Sequence, residues 1–113
     1  MQILLHADPH TDGSAPMTEH LQAVVGAALG RFGDRVTRVE AHLSDANGGT
    51  KTGTDDIHCL FEAHVIGEPS VVVEDNAANA HQAIAGALNK LKRAVGTAIA
   101  RHDPRRHAAP PAV

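Results

Sequence analysis

Aromatic side chains are nearly missing from this chain: two Phe, no Tyr and no Trp in 113 residues. That scarcity argues against a reader of single-stranded nucleic acid, which stacks bases on aromatic platforms. A single cysteine, Cys59, rules out an internal disulfide and fits a reducing compartment. Apolar runs are short, and none approaches the roughly 20 residues needed to cross a bilayer. Met1-Gln2-Ile3-Leu4-Leu5 is too brief and lacks the cationic start of a secretory signal. The expectation is a soluble cytoplasmic protein that engages no membrane.

Catalytic signatures are lacking as well. Asn47-Gly48-Gly49-Thr50-Lys51-Thr52 has neither the spacing nor the strand-to-helix setting of a phosphate loop. His58 and Cys59 are adjacent on a strand pattern, so their side chains diverge, and Cys59 reads as a small core residue. No enzyme, no small-molecule substrate and no cofactor are expected.

What is present is a single-domain length with apolar content carried largely by Ala and Val, which implies a small, tightly packed core. The formal charge is -3, yet it is unevenly placed. Residues 90–106 hold Lys90, Lys92, Arg93, Arg101, Arg105 and Arg106 against one acid, Asp103.

Gln2 to Ala7 reads as a short strand, followed by a polar connection through Pro16. A helix with Thr18 as N-cap and Glu19 at its positive end then carries the stripe Leu21, Val24, Val25, Ala28, Leu29 and Phe32, and Gly33 stops it. From Val36 the period becomes two: Val39, Ala41 and Leu43 alternate with Arg38, Glu40 and His42. After a glycine-rich connection, Cys59, Phe61, Ala63 and Val65 alternate with His58, Leu60, Glu62 and His64. Gly67-Glu68-Pro69 turns the chain, and residues 70–74 return as a strand.

The last third is a long helix ending near His102. Ile84, Leu88, Leu91, Val95 and Ala98 recur at steps of four, three, four and three, marking the buried stripe. Lys90, Arg93 and Arg101 are expected along the opposite face, where cations can meet an anion without loss of packing. The order β-α-β-β-β-α predicts an α+β two-layer sandwich, with two helices on one face of a four-stranded sheet. Strands 36–46, 57–66 and 70–74 form an antiparallel meander, and the N-terminal strand joins beside one of them. Residues 1–102 make the domain; residues 103–113, rich in Pro, Ala and basic residues, read as a disordered tail.

Thr18-Glu19-His20-Leu21, Arg31-Phe32-Gly33-Asp34-Arg35-Val36 and Ala83-Ile84-Ala85-Gly86-Ala87-Leu88-Asn89-Lys90-Leu91-Lys92-Arg93, in this order of elements, resemble the ribosome hibernation promoting factor family. That family is also called the ribosome-associated inhibitor or sigma-54 modulation family. The similarity covers residues 1 to about 102 and points to its short form, without a C-terminal dimerisation domain. The resemblance implies a fold related to double-stranded RNA-binding domains, on the small ribosomal subunit near the decoding channel. There it would block tRNA and mRNA access and silence translation under stress. It further implies rRNA phosphate contacts by Lys90, Lys92, Arg93 and Arg101 of the second helix and by Arg31, Arg35 and Arg38 where helix one gives way to the next strand. Lys51 in the glycine-rich connection is a further RNA-binding candidate. Off the ribosome a monomer is expected.

A reading from another class is a protein-binding module of the same fold that has lost ribosome binding, its acidic surface meeting a partner. The histidines raise a metal question. His58 and His64 share a face but lie nearly 20 Å apart at about 3.3 Å per residue. His42 on a neighbouring strand could approach one of them, while Cys59 points to the other face. Surface histidines with no metal are the expectation.

Overall fold

The structure, a computed structural model, describes residues 1–8, 11, 14–45 and 57–102, with the His102 side chain excepted. In chain order these are β1 (Gln2–Ala7), α1 (Ala15–Leu29), a 3-10 segment (Gly30–Arg35), β2 (Val36–Asp45), β3 (Ile57–Val65), β4 (Val71–Ala77) and α2 (Ala80–His102). The sheet order is β1-β2-β3-β4. β2, β3 and β4 form the expected antiparallel meander. β1 adds at the edge, parallel to β2, because α1 supplies the crossover that a parallel pair requires.

One core joins both layers. Leu21, Val25 and Leu29 of α1, Ile84, Leu91 and Val95 of α2, and Val39, Ala41, Leu43, Cys59, Phe61 and Ala63 of the strands are all buried in it. Leu88 and Ala98 complete the expected α2 stripe. Among the described residues no helix lies on the second face of the sheet, so the residues of β2 and β3 alternate between buried positions and positions open to water. Val36 and Val39 break the parity rule, being three apart yet both buried. A bulge between Val36 and Arg38 absorbs the extra residue, since Val36 pairs with Val65 while Arg38 pairs with His64.

Several local expectations are corrected. The N-cap of α1 is Ser14, whose Oγ accepts from the Met17 N–H at 3.4 Å, and Pro16 lies inside the first turn, where its missing N–H costs nothing. Thr18 is instead in the helix, its hydroxyl donating to the Ser14 carbonyl, and Glu19 falls beyond the first turn. Gly33 does redirect the chain, with φ 60°, but from within the 3-10 segment that follows the α-helix, which itself ends at Leu29. Phe32 is half-buried at the edge of the core rather than inside it.

β4 runs three residues beyond its expected end at Glu74, because Asp75, Asn76 and Ala77 continue the ladder against Cys59, His58 and Ile57. Asn79 then caps α2, its Oδ1 accepting from the Gln82 N–H at 2.9 Å. The Asp75 carboxylate lies where a β-carbon at residue 86 would stand, so Gly86 lets α2 approach β4. Residues 46–56, including the glycine-rich connection and Lys51, and the tail 103–113 lie outside the described residues. No helix among the described residues is long and apolar enough to cross a membrane.

Candidate nucleic-acid interface

The candidate interface is built on α2 and the 3-10 segment that packs beside it. Arg93 points away from the core and borders two open grooves. One, of about 640 Å³, is lined by Arg31, Phe32, Arg35, Arg93, Gly96 and Thr97, among others. The other, of about 590 Å³, lies towards the turn before β4 and includes Ser70, Lys90, Arg93, Thr97 and Arg101. Five of the eight basic residues singled out from the sequence therefore share one continuous surface, with Arg93 at its centre.

Local structure explains why. The 3-10 segment carries the chain on from α1 beside α2, and the Phe32 ring rests within ordinary van der Waals range of Gly96. Arg31 places its guanidinium 4.8 Å from the centroid of that ring, a cation-π contact that holds the charge at the groove. Arg35, the last residue of the segment, brings a second guanidinium to the same groove, and Arg93 a third.

The cations differ in how they are neutralised. Lys90 donates to the Glu74 carbonyl at 2.9 Å and lies 3.7 Å from Asp75. Arg101 sits 3.5 Å from Glu68. Among the described residues, no carboxylate comes within salt-bridge distance of Arg31, Arg35 or Arg93. Three unneutralised guanidinium groups around one groove form a ready anion site, since each presents a planar fork of donors suited to a phosphate.

The remaining candidates are not brought to this surface. Lys92 lies about 200° round the helix from Lys90 and lines neither groove. Arg38 is on β2, on the uncovered face of the sheet, where its Nη2 donates to Glu40 Oε2 at 3.2 Å. Lys90 and Arg101, expected opposite the core, are directed to the flank facing β4 and its preceding turn, as their partners Glu74 and Glu68 show. Phe32, Ser70 and Thr97 line the grooves without having been anticipated there; the position of Thr97, four residues after Arg93 on the same helix face, was the available signal.

Cys59 takes no part. Burial, and secondarily the nearby Asp75 carboxylate, push its thiol up to about 12, so it stays protonated and inert as the core residue its strand position indicated. On the uncovered face, the register sets His42 beside His6 of β1 rather than His58 or His64, with the two rings stacked 4.7 Å apart.

The fold recurs in solved structures. The Thermus thermophilus Protein Y N-terminal domain superposes with a TM-score of 0.68 at 18% identity, covering 86% of this chain and 98% of that one. A ribosomal subunit interface protein from Coxiella burnetii gives a TM-score of 0.62 at 12% identity, covering 86% of this chain and 96% of its own. At such identities the likeness is one of fold. No curated protein matches the sequence significantly. The model of the sigma-54 modulation protein / S30EA ribosomal protein family matches residues 8–102. The chain belongs to that family.

Proposed function

We propose that this protein is a ribosome hibernation factor that binds the small subunit near its decoding channel and blocks tRNA and mRNA by occupying their path. The observation that carries the reading is the set of guanidinium groups without carboxylate partners among the described residues, Arg31, Arg35 and Arg93, converging on one groove of a family member. Lys90 and Arg101 extend the surface, exchanging Asp75 and Glu68 for rRNA phosphates. Lys92, Arg38 and Lys51 are secondary contacts at most. Inhibition needs no chemistry: the rigid helix-on-sheet body fills space, and phosphate contacts fix its position.

The family and the interface-protein relatives support a ribosomal partner, and the paucity of exposed aromatics favours backbone over base recognition. Five phosphate contacts give a log-log salt slope of roughly -3.5 to -4.5, a loss of about two to three decades in affinity between about 50 and 200 mM salt.

Co-sedimentation with purified small subunits across that salt range is the test, with bound tRNA measured in parallel. Saturable binding that falls with salt and displaces tRNA is expected. Failure to bind at low salt would overturn the proposal. Salt-insensitive capture of another protein would instead favour the binding-module reading, to which the net charge of -3 lends some support.

A further inference from the structure

The uncovered face of the sheet holds an arrangement that the ribosomal reading does not use. Its outward residues come into rows across the strands: Leu4, Glu40 and Glu62 in one, His6, His42 and Leu60 in the next, and Gln2, Arg38 and His64 on the other side. Glu40 and Glu62 are directly paired, a juxtaposition of like charges that destabilises a sheet unless cations lie nearby.

We propose that His6, Glu40 and His42 form a binding site for a divalent transition metal ion of the zinc type. One ligand atom from each of these three residues lies within 4.8 Å of the others. Donors on a tetrahedral zinc ion are roughly 3.4 Å apart, so closure asks only for side-chain rotation. His6 and His42 are exposed and free to make it, while the paired backbones of β1 and β2 fix their Cα positions. Their rings are stacked, 18° between planes, so each must turn for its in-plane lone pair to converge on a shared ion.

Glu40 is the pivot. Its side chain is only 16% exposed, and its two oxygens are divided between the flanking groups. Oε1 faces His6 Nε2 at 3.0 Å, whereas Oε2 accepts from Arg38. A metal entering between Oε1 and His6 takes the place of that hydrogen bond, with the His6 proton held on Nδ1 and the Nε2 lone pair on the ion. Arg38 keeps its hydrogen bond to Oε2 and so holds the carboxylate in orientation without touching the ion. A His-Glu-His set with water as fourth ligand suits zinc, and imidazole donors select Zn, Ni or Cu over Mg and Ca. Glu62 and His64 form an overlapping group with Glu40, and the Glu62 charge strengthens the attraction for a cation. The site is on the face away from α2 and stands independently of ribosome binding.

Isothermal titration of the full chain with zinc chloride tests the proposal. One zinc per chain is expected, with no saturable heat from magnesium. His42→Ala and Glu40→Gln should each weaken binding at least about tenfold while leaving circular dichroism unchanged. A double His20→Ala, His81→Ala variant, which removes the other close histidine pair, should bind as the parent does. Absence of saturable zinc binding would overturn the site, as would binding that survives both His42→Ala and Glu40→Gln. Loss on His64→Ala alone, with His42→Ala silent, would also contradict this ligand set.

Discussion

The two faces of the sheet are made by the same strands and differ by one residue of register, yet they use charge in opposite ways. Behind the helix-covered face, α2 and the 3-10 segment present Arg31, Arg35 and Arg93 without carboxylate partners among the described residues. On the uncovered face, several charges are already paired: Glu40 is held by His6 and Arg38, and His58 meets Glu74 at 2.6 Å. Counting basic residues therefore says little about which surface attracts an anion; what decides it is whether the protein has already neutralised them. Arg38 and Arg93 are the same residue type with different availability.

The comparison requires that the sheet hold both faces in place, so the largest effect should come from the core. Phe61→Ala removes the largest fully buried side chain and should cost about 3–5 kcal/mol, measurable by urea denaturation. Both surfaces would then be lost together.

A sharper division comes from charge reversal. Arg31→Glu with Arg93→Glu should reduce small-subunit affinity by about 100-fold, or about 2.8 kcal/mol, with the thermal melt unchanged because both side chains are exposed. Arg38→Glu should change that affinity less than about threefold, near 0.6 kcal/mol. Equal losses from the two would erase the distinction between the faces.

Cys59, between the layers, offers a weaker probe of how tightly they close. Its thiol is raised in the folded state from 9.0 to about 12, so the folded protein keeps a proton that the unfolded chain releases. Stability contributed by this group is complete below pH 9 and declines as pH rises towards 12, by up to about 1.4 kcal/mol per pH unit. Cys59→Ala should remove that part of the alkaline slope in denaturation curves taken at pH 8 to 10.5. An unchanged slope would mean that Cys59 is wetter than its burial indicates.

Much of this architecture was legible in the sequence. The alternation of Val39, Ala41 and Leu43, and of Cys59, Phe61, Ala63 and Val65, states which face is buried, since period two has only one solution once a core exists. The Ile84 to Ala98 stripe did the same for α2. Boundaries were harder, because they depend on local hydrogen bonds: Ser14 rather than Thr18 caps α1, and β4 continues through Asp75, Asn76 and Ala77 because β3 offers partners.

The site was only partly legible for a related reason. Basic residues can be counted from sequence, but their counter-ions come from distant segments. Glu68 reaching Arg101, Asp75 reaching Lys90 and Glu40 reaching Arg38 follow from tertiary placement. The meeting of His6 with His42 was similarly hidden, because it requires the parallel register of β1 on β2.

On this reading the α2 and 3-10 surface, not the uncovered sheet, meets ribosomal phosphates. A cryo-electron microscopy reconstruction of the protein on the small subunit tests it most directly. Arg31, Arg35 and Arg93 are expected within hydrogen-bonding distance of rRNA phosphates, with His6, Glu40 and His42 facing away from them. The sheet face against rRNA, with Arg93 in solvent, would contradict it.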